Sequence, residues 1–169
     1  MQKREKITKE YVLGIVESEG RFTFSTRTRK LANKTVIQTR VPTFSINMHE
    51  DNRNLLELVK KQMGLENKIY IYKSKDKDGY NRAKKALLIV RGYGAIKNIV
   101  VPYFYGQLVG GKAIQFKQWI ERMGDDPLVA DGYGLICRLH KNGYYAKNPK
   151  FSDNLVKREK SKSPKSTKT

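Results

Sequence analysis

One cysteine, Cys137, and two histidines, His49 and His140, are the only thiol and imidazole side chains in this sequence. A single thiol cannot close an intrachain disulfide, and so few sulfur and imidazole ligands cannot build a structural zinc site. A metal here would have to be a hard cation held by carboxylate and carbonyl oxygen. The compartment expected is a reducing one: cytoplasmic, or organellar if the gene belongs to an organelle genome. Long apolar runs are also missing, and no basic amphipathic helix stands out, so a membrane is not the expected partner. Residues 1–9 are polar and charged with no apolar stretch behind them, so no secretory signal is expected. Acid is scarce too. Against 35 Lys and Arg stand 16 Asp and Glu, a formal charge of +19 and a pI near 10.0. That excess exceeds what solubility needs and points to a polyanion, nucleic acid first of all.

With 169 residues and 38% hydrophobic content, one domain with a real core is expected, and two of ordinary size are not. The domain is assigned to residues 1–156. Residues 157–169 are basic, carry Ser, Pro and Thr without apolar periodicity, and are expected to be disordered when free.

The patterning predicts helix, two strands, helix, two strands, then helices, with no internal repeat. A first helix spans about 8–19, with Thr8 as N-cap and Glu10 in its first turn. A strand over 21–29 sends Phe22 and Phe24 to a core and Arg21, Thr23, Ser25, Arg27 and Arg29 to the other side. A second strand, 35–48, changes phase: Ile37 and Val41 are apolar first, then Phe44, Ile46 and Met48. Pro42 at the change suggests a bulge or an edge irregularity, which would bring Gln38, Arg40, Ser45 and Asn47 onto the polar face. Asp51 or Asn52 caps a helix ended by Gly64. A third strand, 67–74, alternates Ile69 and Ile71 with Tyr70 and Tyr72. A charged loop, 75–80, leads to a fourth, 84–90, whose continuous apolar run leaves the face of Lys84 and Lys85 open. A short helix over 93–100 is expected to break at Pro102. A stronger one over 112–123 stops at Gly124, and Asp126-Pro127 opens a last helix toward His140. The fold class is α+β: a four-stranded antiparallel sheet covered on one face by helices.

The other face of that sheet could simply be solvated, as is normal for antiparallel sheets. Its composition favours readout of DNA, since Arg pairs with guanine and Gln or Asn with adenine in the major groove. Its members are Arg21, Thr23, Ser25, Arg27, Arg29, Gln38, Arg40, Ser45, Asn47, Tyr70 and Tyr72.

The chain is organised around residues 12–20, VLGIVESEG, a helix running into the aromatic-alternating strand. Gly14 and Ser18 share one face of the helix, which would let a second helix approach closely. Glu17 and Glu19 sit at the negative end of the helix dipole and need a cation, a base or full solvation. Gly20 is free to take an unusual backbone angle.

This stretch resembles the LAGLIDADG motif of homing endonucleases, with Val12 in its first position, Gly14 in the third, Glu19 in the eighth and Gly20 in the ninth. Only one motif is present, which resembles the homodimeric branch of the family, whose lysine-rich archaeal members are encoded within introns. The resemblance implies a dimer packed through Val12, Gly14, Ile15 and Ser18. It implies double-stranded DNA as the partner and a site-specific, metal-dependent double-strand break in a long pseudo-palindromic target. On residues alone Glu19 reads as a solvated helix-end carboxylate. The resemblance makes it the ligand of a divalent metal, Mg²⁺, with the Ser18 carbonyl beside it, while Glu17 orients the helix end. Mg²⁺ suits such a site because it takes one or two carboxylates and completes its shell with phosphate and water. By the same resemblance, Lys112 and Arg53 are candidates for the basic residue near the phosphates. One departure stands out: relatives place a glutamine at the end of the second strand, where this chain has Met48, unless Asn47 or His49 substitutes. Three rival readings keep some of these features: an RNA-binding maturase of the same fold, a non-enzymatic basic protein, and a regulator built on a decayed nuclease.

Overall fold

The computed structural model describes residues 5–73 and 83–148. The elements are α1 (Lys9–Glu19), β1 (Gly20–Lys30), β2 (Val36–His49), α2 (Arg53–Met63), β3 (Ile69–Tyr72), β4 (Lys85–Val90), α3 (Tyr93–Ala95), α4 (Val101–Phe104), α5 (Gly110–Asp125), α6 (Gly134–Lys141) and α7 (Tyr144–Lys147). The strands form one antiparallel sheet in the order β1-β2-β4-β3. The 75–80 loop and the 157–169 tail lie outside the described residues. Among those described, no helix is long and apolar enough to cross a membrane.

One face of the sheet is dry. Phe22, Phe44, Ile46, Leu88 and Val90 are buried, and helices cover them. The Phe22 ring stacks on Phe44 with centroids 5.3 Å apart and meets Phe104 and Phe116 edge-on at 5.6 and 5.0 Å. Each such buried ring stabilises the fold by about 1.5–3 kcal/mol relative to exposure. α1 begins as its sequence indicates, the Thr8 hydroxyl accepting the Tyr11 N–H at 3.1 Å. α2 ends at Gly64, whose φ of 77° is the left-handed conformation that favours glycine.

Several expectations are corrected. The β1–β2 ladder runs without interruption from Gly20↔Ile46 to Lys30↔Val36, so Pro42 makes no bulge. Arg40 on the far side of β2 bonds to the 128–130 segment, its N–H to Leu128 O and its C=O to Ala130 N–H. Pro42, two residues on, turns its donorless nitrogen the same way. It falls in the gap between that segment and the first β4 pair, Phe44↔Val90. No ladder bond is lost there. Without the bulge the phase never changes. Gln38 and Arg40 therefore share a face with Phe22 and Phe24, not with Arg21 and Arg27, and Ile37 is 39% exposed on the opposite face.

Pro102 does not break its helix. Helical backbone continues from α3 through a wide π turn, Ile96–Val100, into α4, and that turn accommodates a ring with no N–H to give. Gly124 is not a stop either, since α5 runs past it to Asp125. A Cβ there would lie 2.7 Å from Cys137 Sγ, so this glycine serves the close approach of α5 to α6. Asp126-Pro127 opens no helix: Asp126 takes the Leu128 N–H at 2.9 Å in a turn, and α6 starts only at Gly134.

Candidate active site

Three elements meet where α1 becomes β1. Val12 and Val16 anchor the helix in the core, both 0% exposed. Gly20 follows with φ −73° and ψ 150°, ordinary extended backbone. The glycine is needed for space and not for its angle: a Cβ would stand 2.6 Å from Val16 Cγ1 and 2.8 Å from Val16 O. The third element is the start of α5. Glu17 accepts the Val109 N–H, the capping position of α5, through Oε1 at 2.5 Å. Lys112, in the first turn of α5, donates its ammonium to Gly20 O at 2.5 Å and to Gln115 Oε1 at 3.3 Å.

Glu19 closes α1 at this seam, exposed, with no hydrogen bond or ion pair among the described residues. Ser18 is also exposed, its hydroxyl turned back to Ile15 O at 3.1 Å. The structure thus gathers Glu19, Ser18 and Lys112 in one place. Arg53 does not join them by any bond. It opens α2, exposed, and its side chain has no hydrogen-bond or ion-pair partner among the described residues.

The open face of the sheet leads away from this seam. The registers align Arg21 with Ser45, Thr23 with Thr43 and Arg27 with Thr39. Ser45 pairs with Ile89, Asn47 with Leu87, and Tyr70 and Tyr72 with Leu87 and Lys85. Strand alternation puts all of these side chains on one face. Arg21, Arg27 and Arg29 are exposed and have no ion-pair partner among the described residues. Ser25 and Thr43 hydroxyls bond across the face at 2.8 Å, and Asn47 Nδ2 donates to the Tyr72 hydroxyl at 2.5 Å, leaving Asn47 Oδ1 buried without a partner among the described residues.

Two of the eleven expected face residues are not there. Gln38 and Arg40 point to the helix side, where Arg40 Nη1 donates to Asp126 Oδ2 at 2.7 Å. The Leu128 N–H, with Arg40 and Arg122, holds the Asp126 carboxyl below the usual carboxylate range, although desolvation opposes this. Nor does Val12 present itself to a partner, being buried in its own chain. The outward side of α1 is Tyr11, Gly14 and Ser18, with Ile15 half-buried. A Cβ on Gly14 would meet nothing within 4 Å, so no contact within this chain requires glycine there.

Sequence reasoning missed Lys85, on the open face of β4, because only the register settles its side. It also missed Gln115, whose i, i+3 spacing from Lys112 was the available signal. Of the expected substitutes for the absent strand-end glutamine, Asn47 gives its Nδ2 to Tyr72 and keeps Oδ1 without a partner among the described residues, while His49 Nδ1 accepts the Asp51 N–H at 3.2 Å. Met48 lies half-buried on the core face.

Among the described residues no three His, Cys, Asp or Glu side chains cluster to hold a metal. A closed protein cage is therefore not what this site offers. One solvent-facing, unbonded carboxylate suits a hard cation that keeps water and phosphate in its shell.

The family model for the LAGLIDADG endonuclease matches residues 12–123, and the chain belongs to that family. Its fold is similar to that of the homing endonuclease I-TnaI, with TM-score 0.53 and 18% identity over 90% of this chain and 83% of that one. It is similar also to I-LtrWI bound to its target DNA, at 0.57 and 18%, covering 85% of this chain but 46% of that one. The group I intron-encoded I-CeuI in complex with DNA gives 0.53 and 15%, over 86% of this chain and 61% of that one. At these identities the likeness is one of fold. No curated protein sequence matches the chain.

Proposed function

We propose that the protein is a site-specific DNA endonuclease that works as a homodimer, needs a divalent metal, Mg²⁺ in the cell, and makes a double-strand break in a long pseudo-palindromic site of the kind an intron invades. The observation that carries this reading is the unbonded Glu19 carboxylate next in sequence to Gly20, whose carbonyl tethers Lys112, at the end of a cationic sheet face. Glu19 would hold the metal with the Ser18 carbonyl. When bound, the metal supplies charge neutralisation at the phosphate and an activated water. Lys112 keeps a cation beside the phosphates. Arg21, Arg27 and Arg29, with Thr23, Ser25, Ser45, Asn47, Tyr70 and Tyr72, hold and read the duplex in the major groove. A second copy packed on the Gly14–Ser18 side of α1 would bring a second Glu19 to the other strand, which one carboxylate site cannot serve alone.

Glu19→Gln tests the reading. It keeps size and removes charge, so cleavage in Mg²⁺ should fall by orders of magnitude while binding in Ca²⁺ stays near wild type, because the metal acts mainly on the transition state. A variant that still cuts near the wild-type rate defeats it. If neither protein cuts DNA carrying the intron-free junction and both bind the intron RNA tightly, the maturase reading takes over.

A further inference from the structure

We propose that Gln115 is a positioning residue for Lys112, acting from α5. This rests on the reading of Glu19 and Lys112 as the cleavage centre. Gln115 Oε1 receives two donors, the Lys112 ammonium at 3.3 Å and, more weakly, the Phe22 N–H at 3.4 Å. Both neighbours are donors only, so the amide must present its oxygen to them and its NH₂ elsewhere. That NH₂ has no partner among the described residues. The ammonium has three N–H groups. Gly20 O takes one and Gln115 takes another, and nothing among the described residues takes the third.

The consequence is geometric. A lysine has four rotatable side-chain bonds and would otherwise sample many positions. Two acceptors, one on the first strand residue and one on its own helix, fix this ammonium against Gly20, the neighbour of Glu19. Phe22 ties the same amide to β1, so the start of the strand, the helix and the cation move together. The arrangement leaves one ammonium N–H and the amide NH₂ as donors for phosphate oxygen or an ordered water.

The test uses Gln115→Met, which keeps length and packing but removes the acceptor, and Gln115→Glu, which keeps an acceptor at the same reach. Amine acetylation read by mass spectrometry on the free protein reports how well Lys112 is held. Gln115→Met should raise labelling of Lys112 several-fold, with other lysines unchanged, and Gln115→Glu should not. Cleavage by Gln115→Met should fall about ten- to a hundred-fold in kcat, as for other residues that orient a reactive group, with DNA affinity in Ca²⁺ held within about twofold. In a Lys112→Met background Gln115→Met should add nothing. Unchanged Lys112 labelling overturns the proposal. So does a further loss in the Lys112→Met background, which would mean Gln115 acts on the fold and not through the lysine. Should the wild type cut no DNA, the nuclease reading fails, while labelling alone still decides whether Gln115 holds Lys112.

Discussion

Arg27 and Arg40 lie one ladder step apart in the β1–β2 hairpin, Arg27 beside Thr39 and Arg40 beside Thr26, yet they face opposite ways. Arg27 projects from the open face with no ion pair among the described residues. Arg40 projects to the helix side and is locked to Asp126, its backbone bonded to Leu128 and Ala130. Residue type is the same; the face decides whether the guanidinium is available to a polyanion or belongs to the fold. The same division runs through neighbouring positions, Phe44 dry and Ser45 on the open face.

The sharpest way to break this contrast is at Phe44 and Ser45. Phe44→Ala should cost about 3–5 kcal/mol of stability in chemical denaturation, because the ring contacts Phe22 and Phe104 in a closed core. Ser45→Ala should leave stability within about 0.5 kcal/mol and alter only DNA preference. Equal losses would mean that the two faces are not divided as described.

Gly14→Leu probes the outward side of α1. Nothing within the chain obstructs a side chain there, so the monomer fold should survive, while sedimentation on DNA should shift from dimer to monomer with loss of cutting. A variant that remains dimeric would show that the subunits meet elsewhere.

Next come the two arginines. Arg27→Ala should weaken DNA binding by about 1–3 kcal/mol if it reads a base edge, without moving the melting temperature. Arg40→Ala should lower the melting temperature and leave DNA affinity unchanged. Exchange of these two outcomes would reverse the assignment of faces.

The smallest effect is a pH dependence. Asp126 has its carboxyl pKa depressed in the folded state, so its contribution is present above the unfolded value, 3.8, and is lost as pH falls through the folded value beneath it. Acid denaturation below about pH 4 should lose this component in Asp126→Asn.

Much of this was readable in advance, and the failures share a cause. Alternation identified β1, because Phe22 and Phe24 bury one side against helices while the arginines stay wet. From Val36 to Gln38 both sides of β2 are exposed, so burial imposes no period, and Ile37 misled the reading of the phase. The error at Pro42 came from a partner remote in sequence, the 128–130 segment, which local pattern cannot reveal. Gly20 and Gly124 look like conformational glycines in sequence, but what makes them glycine is Val16 and Cys137. Glu19 and Lys112 were singled out through the family motif. Gln115 was not, although its i, i+3 spacing from Lys112 stood in the sequence; its contact with the Phe22 N–H forms only in three dimensions.

The Glu17 bond to the Val109 N–H has one more effect, visible from the position of an incoming phosphate. A helix of sixteen residues begins there, and its N-cap residue, Val109, supplies no side-chain cap of its own. By lying on that end, Glu17 has its negative charge answered locally. Of the two acids in the motif, only Glu19 then has a carboxylate free of hydrogen bonds among the described residues, and the Lys112 ammonium is held at the next residue, Gly20. On the proposed reading the seam would meet DNA with one free carboxylate and one tethered ammonium rather than with two free acids. On that reading, a single carboxylate would repel the phosphates less than a pair would.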